Sequence, residues 1–192
     1  MIDVQCKVIY THPQKTGGTS IESLFTSSVT LRKHAHLHEH VNALTNHGEN
    51  HAEYYKFSST RNPWDAAVSH YHHDIKLLEN HEEELIGIPR YDKIKEMDFE
   101  QYIRNMMFYG GDVKQFMFYR GKFAMNRVVR FEYIQQDFDE VCNDIGIEPV
   151  QLPHTNKTDH DHYTTYYTDE TKRIVEKAYA ADISFFNYKF EI

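Results

Sequence analysis

Apolar residues alternate at Val4, Cys6, Val8 and Tyr10, with Ile9 adding β character, and predict an opening strand. Residues 11–20 form a turn-rich stretch containing Pro13, Gly17 and Gly18. The period then changes: Ile21, Leu24 and Phe25 stand at i, i+3 and i+4, as on one face of a helix. Residues 54–60 read as a second strand, which Asn62-Pro63 ends; proline suits the first turn of a helix. Trp64, Val68, Tyr71, Ile75 and Leu78 follow at spacings of 4, 3, 4 and 3, the clearest amphipathic helix in the chain.

The polar, acidic run 79–92, with Gly87 and Pro89, reads as a loop. Asp98 is placed to cap a helix carrying Phe99, Tyr102, Ile103 and Met106. Residues 127–132 predict a third strand, and Ile134, Phe138, Val141 and Ile145 a helix stopped by Gly146. A polar loop spans 151–163. Thr168 is placed to cap a last helix with Ile174, Val175, Ala178 and Tyr179, and the aromatic tail 185–190 is expected to pack back on the body. Strands alternating with helices predict an α/β fold, a single domain over 1–192 with a central parallel sheet flanked by helices.

Composition alters this picture little. Apolar residues make up 40% of the 192 and charged residues 26%, an ordinary globular balance. The formal charge of −8 makes the chain a poor general binder of nucleic acid, although locally gathered cations can still hold an anion. Cys6 and Cys142 are isolated and form no CxxC pair, which points to a reducing compartment. No apolar run reaches membrane-spanning length and no leader opens the sequence, so a cytoplasmic protein is expected.

Chemistry concentrates in two segments. His12-Pro13-Gln14-Lys15-Thr16-Gly17-Gly18-Thr19-Ser20 joins a strand to a helix. Unpaired amides at such a junction, two glycines, a lysine and three hydroxyls are the parts of a phosphate cradle. The order excludes a Walker A motif, because Lys15 precedes the glycine pair. The second segment, Arg61-Asn62-Pro63-Trp64-Asp65, stands where a strand meets a helix, with Ser69 eight residues after Arg61. Arginine at a strand's C-terminal edge suits bidentate phosphate binding, and ligands of open α/β sheets sit at that edge.

KTGGTS after the first strand and RNPWDAAVSHY after a later one resemble the PAPS-dependent sulfotransferases, closest to the carbohydrate, heparan-type branch and its bacterial relatives. VVRFEYIQQDFDEVCNDIGI resembles the family's later strand–Glu–helix segment. LPHTNKT with DISFFNYKF resembles its C-terminal end, so the likeness covers nearly the whole chain. The resemblance implies a P-loop-like topology and transfer of a sulfuryl group from PAPS to an acceptor hydroxyl, by family weight a carbohydrate, with PAP as product. It implies that Lys15, Thr16, Gly17, Gly18, Thr19 and Ser20 bind the donor's 5′-phosphosulfate end, that Arg61 and Ser69 bind its 3′-phosphate, and that Lys157 adds a contact from the late loop. Gln14 departs from the family, which usually has proline directly before the loop lysine.

Sulfuryl transfer needs an in-line donor, a stabilised leaving oxygen and a base. Lys15 is the candidate for the bridging oxygen. Histidine best suits the base, and the segment His34-Ala35-His36-Leu37-His38-Glu39 resembles a family His-Ala-x-x-x-Glu pattern, which implies His34 as base and His36 as runner-up. Glu132 reads as a structural partner. The alternating His34, His36, His38 and His40 also open a metal reading, as do His70, His72 and His73, and His160 and His162; with no cysteine partner and no HExxH motif, no metal is expected. Two alternatives stand beside sulfotransfer: a P-loop-like nucleotide kinase or NTPase, and a non-enzymatic His-rich metal-binding protein.

Overall fold

The computed structural model describes residues 1–32, 34–85, 87–106, 113–153 and 161–191. In chain order the elements are β1 (Ile2–Asp3), β2 (Val8–Thr11), α1 (Gly18–Glu22), α2 (Leu37–Asn46), β3 (Tyr55–Thr60), α3 (Pro63–Leu85), α4 (Pro89–Ile94), α5 (Phe99–Arg104), β4 (Phe118–Tyr119), β5 (Lys122–Phe123), β6 (Arg127–Arg130), α6 (Ile134–Ile145), α7 (Asp169–Ala178) and α8 (Ala180–Phe186). The protein is therefore mixed α/β. Two compact units make up the chain: Met1–Arg61 with Val113–Thr155, and Asn62–Asp112 with Asn156–Ile192.

The first unit holds the sheet, in the order β1-β2-β3-β6. Strands β2, β3 and β6 run parallel, with Thr11 opposite Ser58 and Thr60 opposite Arg130. Strand β1 is antiparallel to β2, so the sheet is parallel at its centre and mixed at one edge. The expected strand over 4–10 is thus a hairpin. Asp3 Oδ1 accepts the Cys6 N–H at 2.9 Å and Lys7 has φ 52°, turning the chain before β2 begins and leaving Val4 exposed. Val8, Tyr10, Phe57 and Val129 of the sheet pack with Ile21, Phe25, Phe138, Val141 and Cys142 in one core. Asp137 ties α6 to β6, accepting from the backbone N–H, Nε and Nη2 of Arg130, each at 2.8 Å. Gly146 ends α6 at φ 75°, the left-handed stop that its position predicts.

Helix α1 is shorter than its apolar spacing predicts: Leu24 and Phe25 lie beyond it, although Phe25 is buried. Helix α2 was not legible, because its alternating histidines imitate a strand. On a helix alternate residues turn to different sides, and accordingly His40 is buried while His38 is exposed. The small antiparallel pair β4–β5 turns through Arg120 and Gly121, both at positive φ as a tight hairpin turn requires.

The second unit is helical. Trp64, Val68, Phe99, Tyr102, Ile103, Tyr163, Val175 and Tyr179 share its core. The run 79–92, expected as a loop, instead continues α3 to Leu85, with non-helical angles at His81, and then forms α4. Glutamate and leucine favour helix, and an exposed polar stretch needs no apolar stripe to stay helical as an extension. Asp98 and Thr168 cap α5 and α7 as expected, accepting from the N–H of Gln101 at 2.8 Å and of Thr171 at 3.2 Å. Buried Asp74 accepts from Arg90 Nη2 at 2.6 Å and from the Tyr102 hydroxyl at 2.8 Å, tying α3 to α4 and α5. Of the aromatic tail, Phe190 packs edge-on against Trp64, Tyr163 and Tyr167, whereas Phe185 is exposed. Among the described residues, no helix is long and apolar enough to cross a membrane.

Candidate functional site

Parallel pairing sets the site's position. Strands β2 and β3 are neighbours in register, so the loop leaving β2 and the residue leaving β3 emerge at the same C-terminal edge. That residue is Arg61. Its Nη1 donates to the Lys15 carbonyl at 3.0 Å, and its guanidinium lies 3.9 Å from the centroid of the Phe131 ring. The loop and Arg61 are therefore one local assembly within the first unit.

The loop is held from beneath by hydroxyls. Thr16 is buried, and its Oγ1 donates to the Pro13 carbonyl at 2.7 Å and meets Ser59 Oγ at 2.6 Å. Ser59 Oγ in turn meets the Tyr10 hydroxyl at 2.6 Å. The Thr16 side chain thus anchors the loop to β2 and β3. Lys15 has φ 59° and Gly17 φ 80°, successive left-handed positions on either side of Thr16. Backbone hydrogen bonding resumes with Ser20 N–H to the Gly17 carbonyl at 3.1 Å. The Gly18 and Thr19 amides stand in the first turn of α1, where a helix offers no internal acceptor. Thr19 is exposed and Ser20 buried.

Packing explains both glycines. A Cβ on Gly17 would lie 2.5 Å from Ile134 Cδ1, and one on Gly18 would lie 2.1 Å from Cδ2 of the His12 ring. The close approach that the sequence reserves for a ligand is thus, at Gly18, made by a histidine.

His34, half-buried and at φ 60°, places Nδ1 2.8 Å from the His12 carbonyl. Only an N–H can meet a carbonyl oxygen, so Nδ1 carries the proton and the neutral ring has its lone pair on Nε2, the form a general base requires. His36 has a different task. It caps α2, its N–H donates to Glu39 Oε2 at 2.7 Å, and its ring stacks on Phe116 at 4.3 Å. Arg32 first, and the His36 N–H as well, hold the Glu39 carboxyl down at about 2.

Two residues missed in the sequence complete the cluster. His12 and Glu22 are 3.2 Å apart, Nδ1 to Oε2, and the His12 ring meets the His34 ring edge-on at 4.8 Å. Burial alone would raise the Glu22 carboxyl. The contact with His12 and the electrostatic influence of His12, the Met1 amino group and His34 outweigh it and hold the carboxyl below its ordinary value. The available signal was a histidine closing an apolar strand before Pro13, with a carboxylate one turn beyond the glycines.

Lys15, Thr16, Gly17, Gly18, Thr19, Ser20, His34 and Arg61 all belong to the first unit. Ser69 is buried on α3 in the second unit. Lys157 lies outside the described residues, as do His154 and His160. Among the described residues, no three His, Cys, Asp or Glu side chains are grouped so as to hold a metal ion. No protein-family model matches the chain, and neither does any curated protein or solved structure.

Proposed function

We propose that the protein is a PAPS-dependent sulfotransferase, P-loop-like in topology, acting in the cytoplasm on a carbohydrate hydroxyl. Support rests on one observation above the others: a lysine- and glycine-bearing loop after β2 and an arginine after β3 are bonded together at the C-terminal edge of two adjacent parallel strands. The amides of the first turn of α1, the Lys15 ammonium and the Arg61 guanidinium are a set suited to the phosphosulfate end and phosphate of the donor.

In the proposed reaction the acceptor oxygen attacks sulfur as the S–O bond to the donor phosphate breaks. His34 Nε2 takes the acceptor proton, Lys15 stabilises the leaving phosphate oxygen, and PAP is released.

The test is calorimetric titration with PAP of the parent, Lys15→Ala and Arg61→Ala. Binding by the parent, weakened at least about tenfold in each folded variant, is the expected result. A folded parent that does not bind PAP overturns the proposal. His34→Ala is expected to bind PAP like the parent while losing sulfuryl transfer from PAPS.

A further inference from the structure

His12 is the buried centre of the cluster, with its side chain 6% exposed. Its Nδ1 is shut off from water without an aligned hydrogen-bond acceptor, while the Glu22 carboxylate lies 3.2 Å away. The opposite edge of the ring, Cδ2 and Nε2, abuts Gly18. Tyr10 stacks against it at 5.9 Å and His34 meets it edge-on. The titratable groups facing it are thus Glu22 of α1, Tyr10 of β2 and His34, and Glu22 also senses the Met1 amino group.

A buried ring nitrogen without an aligned acceptor calls for a reason. Here the Glu22 carboxylate stands on one side of the ring. A negative charge held by the loop on the other side would favour the imidazolium, because the ring lies against Gly18.

We infer that His12 is a further anion-recognition residue of the loop, its charge held by Glu22, so that binding of the anionic donor is coupled to protonation of its ring. This rests on the donor-site reading above. His12 is a positioning residue that supplies charge from beneath the loop; the ring edge against Gly18 leaves no room for an acceptor hydroxyl to reach it.

The sign follows from linkage. If binding of the anion draws a proton onto the His12 ring, PAP affinity falls as pH rises. The experiment is calorimetric titration with PAP between about pH 6 and about pH 8, in buffers of different ionisation enthalpy, which reports the protons exchanged. PAP's own phosphate titration is common to all variants, so the difference from the parent is read. The parent is expected to take up a fraction of a proton that His34→Ala largely retains and His12→Phe, which keeps a ring against Gly18, loses. His12→Phe is also expected to bind about tenfold more weakly near pH 6 than the parent, with a smaller gap near pH 8. Should His12→Phe fail to fold, Glu22→Gln serves, with maximal uptake expected at lower pH. PAP binding with no uptake beyond that of the variants overturns the inference alone. Absence of PAP binding to the folded parent overturns the donor reading and the inference with it.

Discussion

The Arg61 guanidinium is held between the Phe131 ring, 3.9 Å from its centroid, and the Lys15 carbonyl, 3.0 Å from Nη1. Both contacts use what arginine has and lysine lacks, a flat delocalised cation with several fixed donors. Arg61→Lys therefore keeps the charge and loses the geometry. The expected result is a stability loss of about 1 kcal/mol in urea unfolding and at least about tenfold weaker PAP binding. Binding equal to that of the parent would mean that charge alone suffices at this position.

Much of this frame was legible in the sequence. The β3–Arg61–Pro63 passage announces itself, because a β-rich run meets a proline and then a stripe at helical spacing. What stayed hidden was set by contacts between distant residues. His12 and Glu22 are ordinary residues until the fold presses one ring onto Gly18. Helix α2 was masked by HxHxH spacing, and β4–β5 by having two residues in each strand. The acidic end of α3 was misread because polarity marks exposure, which loops and exposed helix share.

Gly17 and Gly18 are required for different reasons, and alanine substitutions separate them. Gly17→Ala is strained twice, by its φ of 80° and by Ile134. Gly18→Ala first meets the His12 ring, which is itself packed by Tyr10 and His34. Each is expected to cost about 1–3 kcal/mol in urea unfolding. Trimming His12 to Ala should shrink the Gly18→Ala penalty, whereas trimming Ile134 to Ala should leave most of the Gly17→Ala penalty. Equal relief in both double-mutant cycles would contradict this division.

His40 should make the fold sensitive to mild acid. It is 1% exposed, and burial first, then the positive charge of the Met1 amino group, hold its pKa down at about 4 against an ordinary 6.5. Nδ1 lies 3.0 Å from the His36 carbonyl, so the Nε2 lone pair meets the Met1 amino group at 2.6 Å. The unfolded chain binds this proton near 6.5 and the folded chain only near 4. The stability His40 contributes is therefore complete above about pH 6.5 and is lost as the pH falls towards 4. Urea midpoints near pH 7 and near pH 5 should converge in His40→Gln relative to the parent. An unchanged gap would assign the acid sensitivity to other groups.

The hydroxyls beneath the loop have a determined direction. Thr16 gives its one proton to the Pro13 carbonyl, so Ser59 must donate to Thr16 Oγ1 and Tyr10 to Ser59 Oγ. Ser59 is the middle link, fully buried, and Tyr10 is the donor end. Ser59→Ala leaves the Tyr10 hydroxyl without its acceptor and Thr16 without its donor, in a site closed to water. Tyr10→Phe removes the hydroxyl together with its need for an acceptor, leaving the rest of the chain intact. Ser59→Ala is thus expected to cost about 1–3 kcal/mol and Tyr10→Phe about 1 kcal/mol or less, both read from urea unfolding. Because the chain ends on the Pro13 carbonyl, Ser59→Ala should also weaken PAP binding, while Tyr10→Phe should not. The reverse order of stabilities would mean that the protons run the other way, from Thr16 towards Tyr10, with Pro13 left unbonded.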